Sequence, residues 1–163
     1  FAAAEKAGQD RVAQLLNNKG KTPVDDFHRR LGRIMWNQCG MSRNEEGLKQ
    51  AIADIQALRE EFEKDVCVPG RADRYNPELD KAGRVSDLLE LGELMCKDAL
   101  ERNESCGGHF REEYRTPEGE ALRDDAGHAH VSAWAFTGVP SEAVHHKEEL
   151  KFENVELKTR SYK

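Results

Sequence analysis

The residues best equipped for chemistry lie after position 100, where cysteine, histidine, arginine and carboxylates crowd together. Cys106-x-x-His109 has a spacing that can offer two ligands to one metal ion. Zinc takes about four ligands, and no second pair stands nearby. The pair therefore reads better as a helix terminus with one packed thiol and one hydrogen-bonded imidazole. His128 and His130 share a face if that stretch is extended, whereas adjacent His145 and His146 point opposite ways. Neither pair has a carboxylate at a fixed helical offset, so both read first as exposed polar residues. Ser105, Cys106 and His109 combine nucleophiles with a base. Nothing in the sequence orients that imidazole, and only the Gly107 and Gly108 amides could serve as oxyanion donors. Arg111, with Glu112 and Glu113 beside it and Asp124-Asp125 further on, fits an anchoring network, because a guanidinium makes planar paired bonds to carboxylates. A solvated charge cluster accounts for the same residues equally well. No catalytic, cofactor-binding or metal-ligating residue is assigned.

A set of amphipathic helices has to position these groups. Residues 3–17 read as a short Ala-rich helix with Val12, Leu15 and Leu16 on one face, broken by Asn17-Asn-Lys-Gly-Lys21. Thr22-Pro23 predicts an N-cap followed by proline at the first helical position. Phe27, Leu31, Ile34 and Met35 then recur at helical spacing, Trp36 reads as packing, and Gly40 closes the segment. Ser42-Arg-Asn-Glu45 matches a capping box. Leu48, Ile52, Ile55, Leu58 and Phe62 stripe the helix that follows. Asn76-Pro77 opens a third helix carrying Leu79, Val85, Leu88, Leu89, Leu91, Leu94, Met95, Ala99 and Leu100, stopped on Gly107-Gly108.

This pattern predicts an all-α fold: a three-helix antiparallel bundle of spectrin-repeat-like shape over residues 21–105, after a linker helix over 1–20. The wider apolar face of the third helix predicts a neighbour beyond its two bundle partners. Residues 106–163 predict a turn motif and a long extended tail packed on the bundle or on another domain. Thr116-Pro-Glu-Gly119 is a turn signal. His130–Phe136 alternates as a strand does, and Leu150, Phe152, Val155 and Leu157 suggest a second, with Gly138-Val-Pro140 between them. Such a short β-hairpin is marginal alone in water.

Of 163 residues, 34% are charged and 37% apolar, against about 25% charged in ordinary globular chains. Helical periodicity argues against disorder, so the composition suits a domain that completes its burial against something else. The net charge is −6 and evenly spread: residues 1–105 hold 17 basic and 20 acidic side chains, residues 106–163 hold 8 and 11. Without a basic stripe, nucleic acid is not an expected partner. No apolar run reaches the roughly 18 residues of a membrane span. Phe1-Ala-Ala-Ala4 lacks the basic and hydrophobic regions of a signal peptide, and a start without Met reads as an excerpt from a longer polypeptide, though processing would look the same. Cys39, Cys67, Cys96 and Cys106 are scattered, which favours reduced thiols in a cytoplasmic protein. No phosphate-cradling glycine motif is present.

Several blocks, in order, resemble the C-terminal helical domain of the succinate dehydrogenase/fumarate reductase flavoprotein subunit. Glu104-Ser-Cys-Gly-Gly-His-Phe-Arg-Glu-Glu-Tyr114 resembles that family's E-S-R-G-(A/G)-H-x-R-x-D/E-Y run. Ile34-Met-Trp-Asn-Gln-Cys-Gly-Met-Ser-Arg43, Asn44 to Phe62, and Asn76 through Arg102 resemble its three helix blocks. The likeness covers about residues 20–115 and extends more weakly to the end. Cys106 stands where many relatives have Arg, and an insertion with Pro117 and Gly119 precedes Arg123-Asp124-Asp125. The tail from Glu148 resembles that of bacterial quinone-linked succinate dehydrogenases.

The resemblance implies FAD in the parent subunit but none in this fragment, because the flavin domain and the residues acting on succinate lie upstream in that family. It implies partners in the FAD-binding and capping domains of the same subunit and in the iron–sulfur subunit, with a membrane anchor reached indirectly. The implied location is cytoplasmic, peripheral on the inner face of the cell membrane. The turn of Gly107, Gly108, His109, Arg111 and Tyr114 is the expected docking element towards the flavin domain. Two alternatives stay open: a stand-alone helical interaction module, and the matching domain of an L-aspartate oxidase or adenylylsulfate reductase flavoprotein.

Overall fold

The computed structural model describes residues 1–156 and 158. Its helices are α1 (Ala2–Asn17), α2 (Val24–Gln38), α3 (Glu45–Asp65), α4 (Pro77–Glu101) and the short α5 (Asp125–His128). Its strands are β1 (Thr22–Pro23), β2 (Ser42–Arg43), β3 (Val66–Cys67), β4 (Phe110–Arg111), β5 (His130–Ala135) and β6 (Val144–Glu149).

Helix starts follow local hydrogen-bond chemistry, in places one or two residues from the sequence expectation. Asn76 caps α4 by accepting from the Glu78 and Leu79 amides, with Pro77 at the first helical position. At α3 the cap is Asn44, which accepts from the Gly47 amide at 2.7 Å, and not Ser42 of the expected capping box. Ser42 belongs instead to β2 and donates to Glu112 at 2.7 Å. At α2 the N-cap is Pro23, not Thr22. The Thr22 hydroxyl turns away to donate to Asp65.

Helices α2, α3 and α4 pack on one another around Phe27, Leu31, Leu48, Ile55, Leu58, Phe62, Val85, Leu89 and Cys96, all buried. Each such side chain contributes about 1.5–3 kcal/mol by leaving water. Phe27 and Phe62 meet edge to face with ring centroids 5.2 Å apart. One carboxylate lies among these residues: Glu93 is 1% exposed and accepts from Gln56 at 2.8 Å and from Arg59 at 2.5 Å. Helix α1 buries Leu15 in the core, with Leu16 packed against it. Trp36 is not packed as expected; it is 83% exposed, because it lies across α2 from the Phe27–Leu31 face.

Two parallel two-residue pairings clip the helix ends together. In the first, β1 pairs with β3, Thr22 opposite Val66. There Gly20 passes so close to α3 that a Cβ would lie 2.1 Å from the Asp65 carbonyl carbon. In the second, β2 pairs with β4, Ser42 opposite Phe110 and Arg43 opposite Arg111. This pairing holds the start of α3 against the segment that follows α4.

The tail carries an antiparallel hairpin of β5 and β6, with Trp134 opposite His145. Its second strand is Val144–Glu149, earlier than the expected run from Leu150; Leu157 lies outside the described residues. The connection sets this register: a 3₁₀ turn at Pro140–Glu142 brings the Ser141 and Ala143 carbonyls to the Lys97 ammonium at 3.1 and 3.2 Å. The hairpin rests on α4 through Trp134, whose indole N–H donates to Asp98 at 2.7 Å.

Candidate docking site

Helix α4 ends at Glu101, several residues before the paired glycines expected to stop it. Its last carbonyls, which have no partner within the helix, are met by an arginine brought back from β4. The Arg111 Nη1 donates to the Ala99 carbonyl at 3.0 Å and the Leu100 carbonyl at 3.2 Å. Its Nε donates to Glu113 at 3.1 Å, and its guanidinium carbon lies 5.4 Å from the Tyr114 ring centroid. A cation also suits the negative end of the helix dipole. Arg111 is 1% exposed.

The backbone of Arg111 is held as firmly as its side chain. Its amide donates to the Ser105 hydroxyl oxygen at 2.8 Å, and that hydroxyl donates to the Arg111 carbonyl at 3.0 Å. Ser105 is itself fixed by its amide, which donates to the Leu122 carbonyl at 2.8 Å. Buried Glu104 accepts from Arg102 through Nε and Nη2, at 2.9 and 2.6 Å, and from the Asp124 amide at 2.8 Å. Arg123 pairs with Asp125 and not with the Arg111 cluster, so the anchoring network divides into two.

Gly107 and Gly108 make a two-residue turn. Cys106 and His109 exchange both backbone hydrogen bonds, at 2.8 and 3.1 Å. Gly107 has φ +60°, a conformation that a side chain resists. The turn returns His109 under the end of α4, where Nε2 donates to the Arg102 carbonyl at 2.9 Å. Nδ1 accepts from Arg43 Nη1, also at 2.9 Å. Burial, together with the nearby guanidinium groups, pushes the His109 pKa below the ordinary imidazole value. The ring is therefore held neutral as one tautomer. Arg43 also donates through Nε to the Gly40 carbonyl at 2.8 Å, so one side chain ties the end of α2 to the turn.

Beneath Arg43 lie two buried thiols, Cys39 and Cys96. The neighbouring Cys96 thiol lowers the Cys39 pKa to about 7, with Arg43 adding to the effect, while the Cys96 S–H itself points to the Met35 sulfur at 3.9 Å. The Cys96 thiol is correspondingly pushed up.

This geometry does not support acid–base or nucleophilic chemistry. Both nitrogens of His109 are engaged, and the Ser105 hydroxyl is spent on the Arg111 peptide unit. Among the described residues, no group of three or more His, Cys, Asp or Glu is arranged to hold a metal ion. Nor do they fit a flavin: the parallel pairings are two residues each, and no glycine-rich turn joins a strand to a helix start. His128 and His130 do come together, with ring centroids 5.8 Å apart, and His145 stacks on Trp134 at 4.3 Å.

Of the five docking residues expected from sequence, His109 and Arg111 are buried inside this chain, Tyr114 is half-buried, and Gly107 and Gly108 form the exposed crest. Sequence reasoning gave no role to Arg43 or Glu104. Arg43 could have been found only as the last residue of a motif block, and Glu104 only as the first.

Residues 28–162 match the family described as fumarate reductase flavoprotein C-term. The fumarate reductase flavoprotein subunit of Helicobacter pylori is 34% identical over 109 residues, covering 67% of this chain and 15% of that subunit. An uncharacterized FAD-dependent oxidoreductase of Methanocaldococcus jannaschii is 30% identical over 110 residues, covering 65% of this chain and 19% of that protein. In the solved structure of a quinol-fumarate reductase with menaquinol molecules, the matching region superposes with a TM-score of 0.77 at 23% identity. That match covers 94% of this chain and 26% of the other. The chain thus spans at most about a quarter of the proteins it matches here. With the family match running through all three long helices, the turn and the hairpin, the chain belongs to the fumarate reductase/succinate dehydrogenase flavoproteins, as their C-terminal domain.

Proposed function

We propose that this chain is the non-catalytic docking module of a flavoprotein subunit that interconverts succinate and fumarate. FAD and the reacting groups belong to the remainder of that subunit, which passes electrons on to an iron–sulfur partner and quinone. The observation that carries this reading is the uncovered face of α4. Leu88, Leu91 and Met95 recur along one side of the helix and are 39%, 51% and 48% exposed. The chain's own tail does not cover them; it meets α4 further along, at Lys97 and Asp98. The occupant is the flavin-binding and capping portion of the same subunit, since this chain accounts for only 15% of a matched relative's length.

In this reading α2, α3 and α4 form the antiparallel, spectrin-like bundle, α1 is a linker, and the described residues from 106 onward are turn and tail. His109 and Arg111 act from inside: they lock the turn so that Gly107, Gly108 and the outer edge of Tyr114 meet the flavin domain. The iron–sulfur subunit and, indirectly, a membrane anchor complete the assembly on the cytoplasmic side of the membrane.

The test is Leu91→Asp with Met95→Asp, made both in the isolated chain and in the intact subunit. The expected result is an unchanged melting temperature for the isolated chain, with lost stability and flavin retention in the subunit. A subunit that keeps its flavin and melting temperature would overturn the docking reading. Flavin absorbance in the purified isolated chain would overturn its non-catalytic status.

A further inference from the structure

The hairpin of β5 and β6 turns its polar side towards α4. His130, Ser132 and Trp134 of β5, with His145 and Lys147 of β6, lie on that side. Val131, Ala133, Ala135 and Val144 face outward and are exposed. A ribbon packed only for burial would be turned the other way. The inward side encloses a cavity of about 240 Å³ against Asp98, Glu101 and Arg102 of α4 and His128 of α5.

Its imidazoles form a chain. His128 and His130 have ring centroids 5.8 Å apart, and His130 and His145 have theirs 6.1 Å apart. His145 is fixed by its stack on Trp134 and by Nε2 at 3.0 Å from the Ser132 hydroxyl oxygen. Among the described residues, the side chains of His128, His130 and Lys147 have no hydrogen-bond partner. These rings are half-buried donors without acceptors. Their arrangement does not suit a shared metal ion.

We infer that this cavity is a binding site for a compact polyvalent oxyanion, phosphate or a phosphate monoester, grasped by the His128, His130, His145, Ser132 and Lys147 side chains. The charges around it explain why an anion would enter, and when. On the α4 wall, Asp98 accepts from Trp134, Glu101 makes no ion pair among the described residues, Arg102 is engaged by Glu104, and Lys97 lies beneath the Trp134 ring. Glu149 stands opposite His130 in the strand register. With neutral imidazoles the surroundings carry no positive excess: Arg102 is paired with Glu104, and Asp98, Glu101 and Glu149 outnumber Lys97 and Lys147. Protonation of His128, His130 and His145 turns that balance positive. Without an anion that protonation is resisted: partial burial and then Lys147, His128, His145 and Arg102 all hold the His130 pKa below its ordinary value. A bound dianion relieves the repulsion, so ligand and protons enter together.

The test follows the histidine ring resonances of the full chain as inorganic phosphate is added at pH 6.0 and 7.5, with sodium chloride at matched ionic strength. Expected is a saturable shift of His128, His130 and His145 and a raised His130 titration midpoint. Expressed per phosphate dianion, so that the ligand's own second ionisation is divided out, affinity should fall with rising pH by up to about tenfold per unit, the slope of one titrating imidazole. Phenyl phosphate as a second arm distinguishes a monoester ligand from the free ion. Lys147→Gln, an exposed change, should weaken binding several-fold, and Lys49→Gln on α3 should not. His130→Gln should abolish the pH dependence; if that variant fails to fold, Lys147→Gln decides the matter. The inference is overturned if no shift saturates, if chloride reproduces it, or if Lys147→Gln binds as the parent does.

Discussion

Arg111→Ala should unsettle the end of α4 more than any other single change in the turn. The substitution removes the donors to the Ala99 and Leu100 carbonyls, at 3.0 and 3.2 Å, and the 3.1 Å bond to Glu113. It also empties a fully buried site packed on Tyr114. Hydrogen bonds from a charged donor contribute about 1.5–3 kcal/mol each and do not add simply. The pair to Glu113, which is 38% exposed, contributes little. The carbonyl bonds and the lost packing together give a cost of about 3–5 kcal/mol. For a chain of this size that corresponds to a melting point lowered by roughly 10 °C. Arg111→Met separates the two parts, because it keeps most of the volume and none of the donors. Its cost should be about 2 kcal/mol, read as a shift of the urea midpoint at constant slope. A cost for Arg111→Met below about 0.5 kcal/mol would refute the capping argument, since water would then satisfy those carbonyls equally well. Because the cost falls on the isolated chain, lost flavin after Arg111→Ala in the intact subunit would not by itself demonstrate docking.

Two further outcomes follow from buried polar groups. Arg59→Leu leaves the Glu93 carboxylate, 1% exposed, without its cation and should cost about 3–5 kcal/mol in urea denaturation. Adding Glu93→Leu should recover most of that loss, and an additive double mutant would mean that the pair does not interact. The second outcome concerns His109, whose pKa is lowered in the folded state mainly by burial. The unfolded chain then binds a proton that the native site resists, so stability is full above the ordinary imidazole range and falls as pH drops through it. Stability measured between pH 7.5 and 5 should fall by at most about 1.4 kcal/mol per pH unit from this group. His109→Gln should flatten the curve in a His130→Gln background, which removes the second depressed histidine. An unchanged slope would contradict the neutral, buried imidazole.

The helices were legible because their signals are local. Leu48, Ile55, Leu58 and Phe62 lie where their spacing puts them, and Asn76-Pro77 starts α4 as its chemistry requires. What escaped depends on contacts distant in sequence. Thr22 and Ser42 look like caps, yet each is drawn away by a carboxylate, Asp65 and Glu112, that no window of a few residues contains. Glu93 reads as a surface acid until α3 supplies Gln56 and Arg59. The second hairpin strand is not legible in sequence because Val144–Glu149 carries almost no apolar alternation; its position is set by the 3₁₀ turn and Lys97. In the turn, Gly107 does take the backbone conformation its type predicts, but beyond the helix end and not at it. The helix is ended by Arg111 returning to its last carbonyls, and the glycines then serve the reversal between Cys106 and His109.

The central claim is that the α4 face bearing Met95 is covered by the rest of the flavoprotein. Hydroxyl-radical footprinting measures that cover directly, because the exposed thioether of Met95 oxidises readily and a buried one does not. The account predicts rapid oxidation in the isolated chain and at least about fivefold protection in the intact subunit. Equal oxidation rates in the two would contradict it.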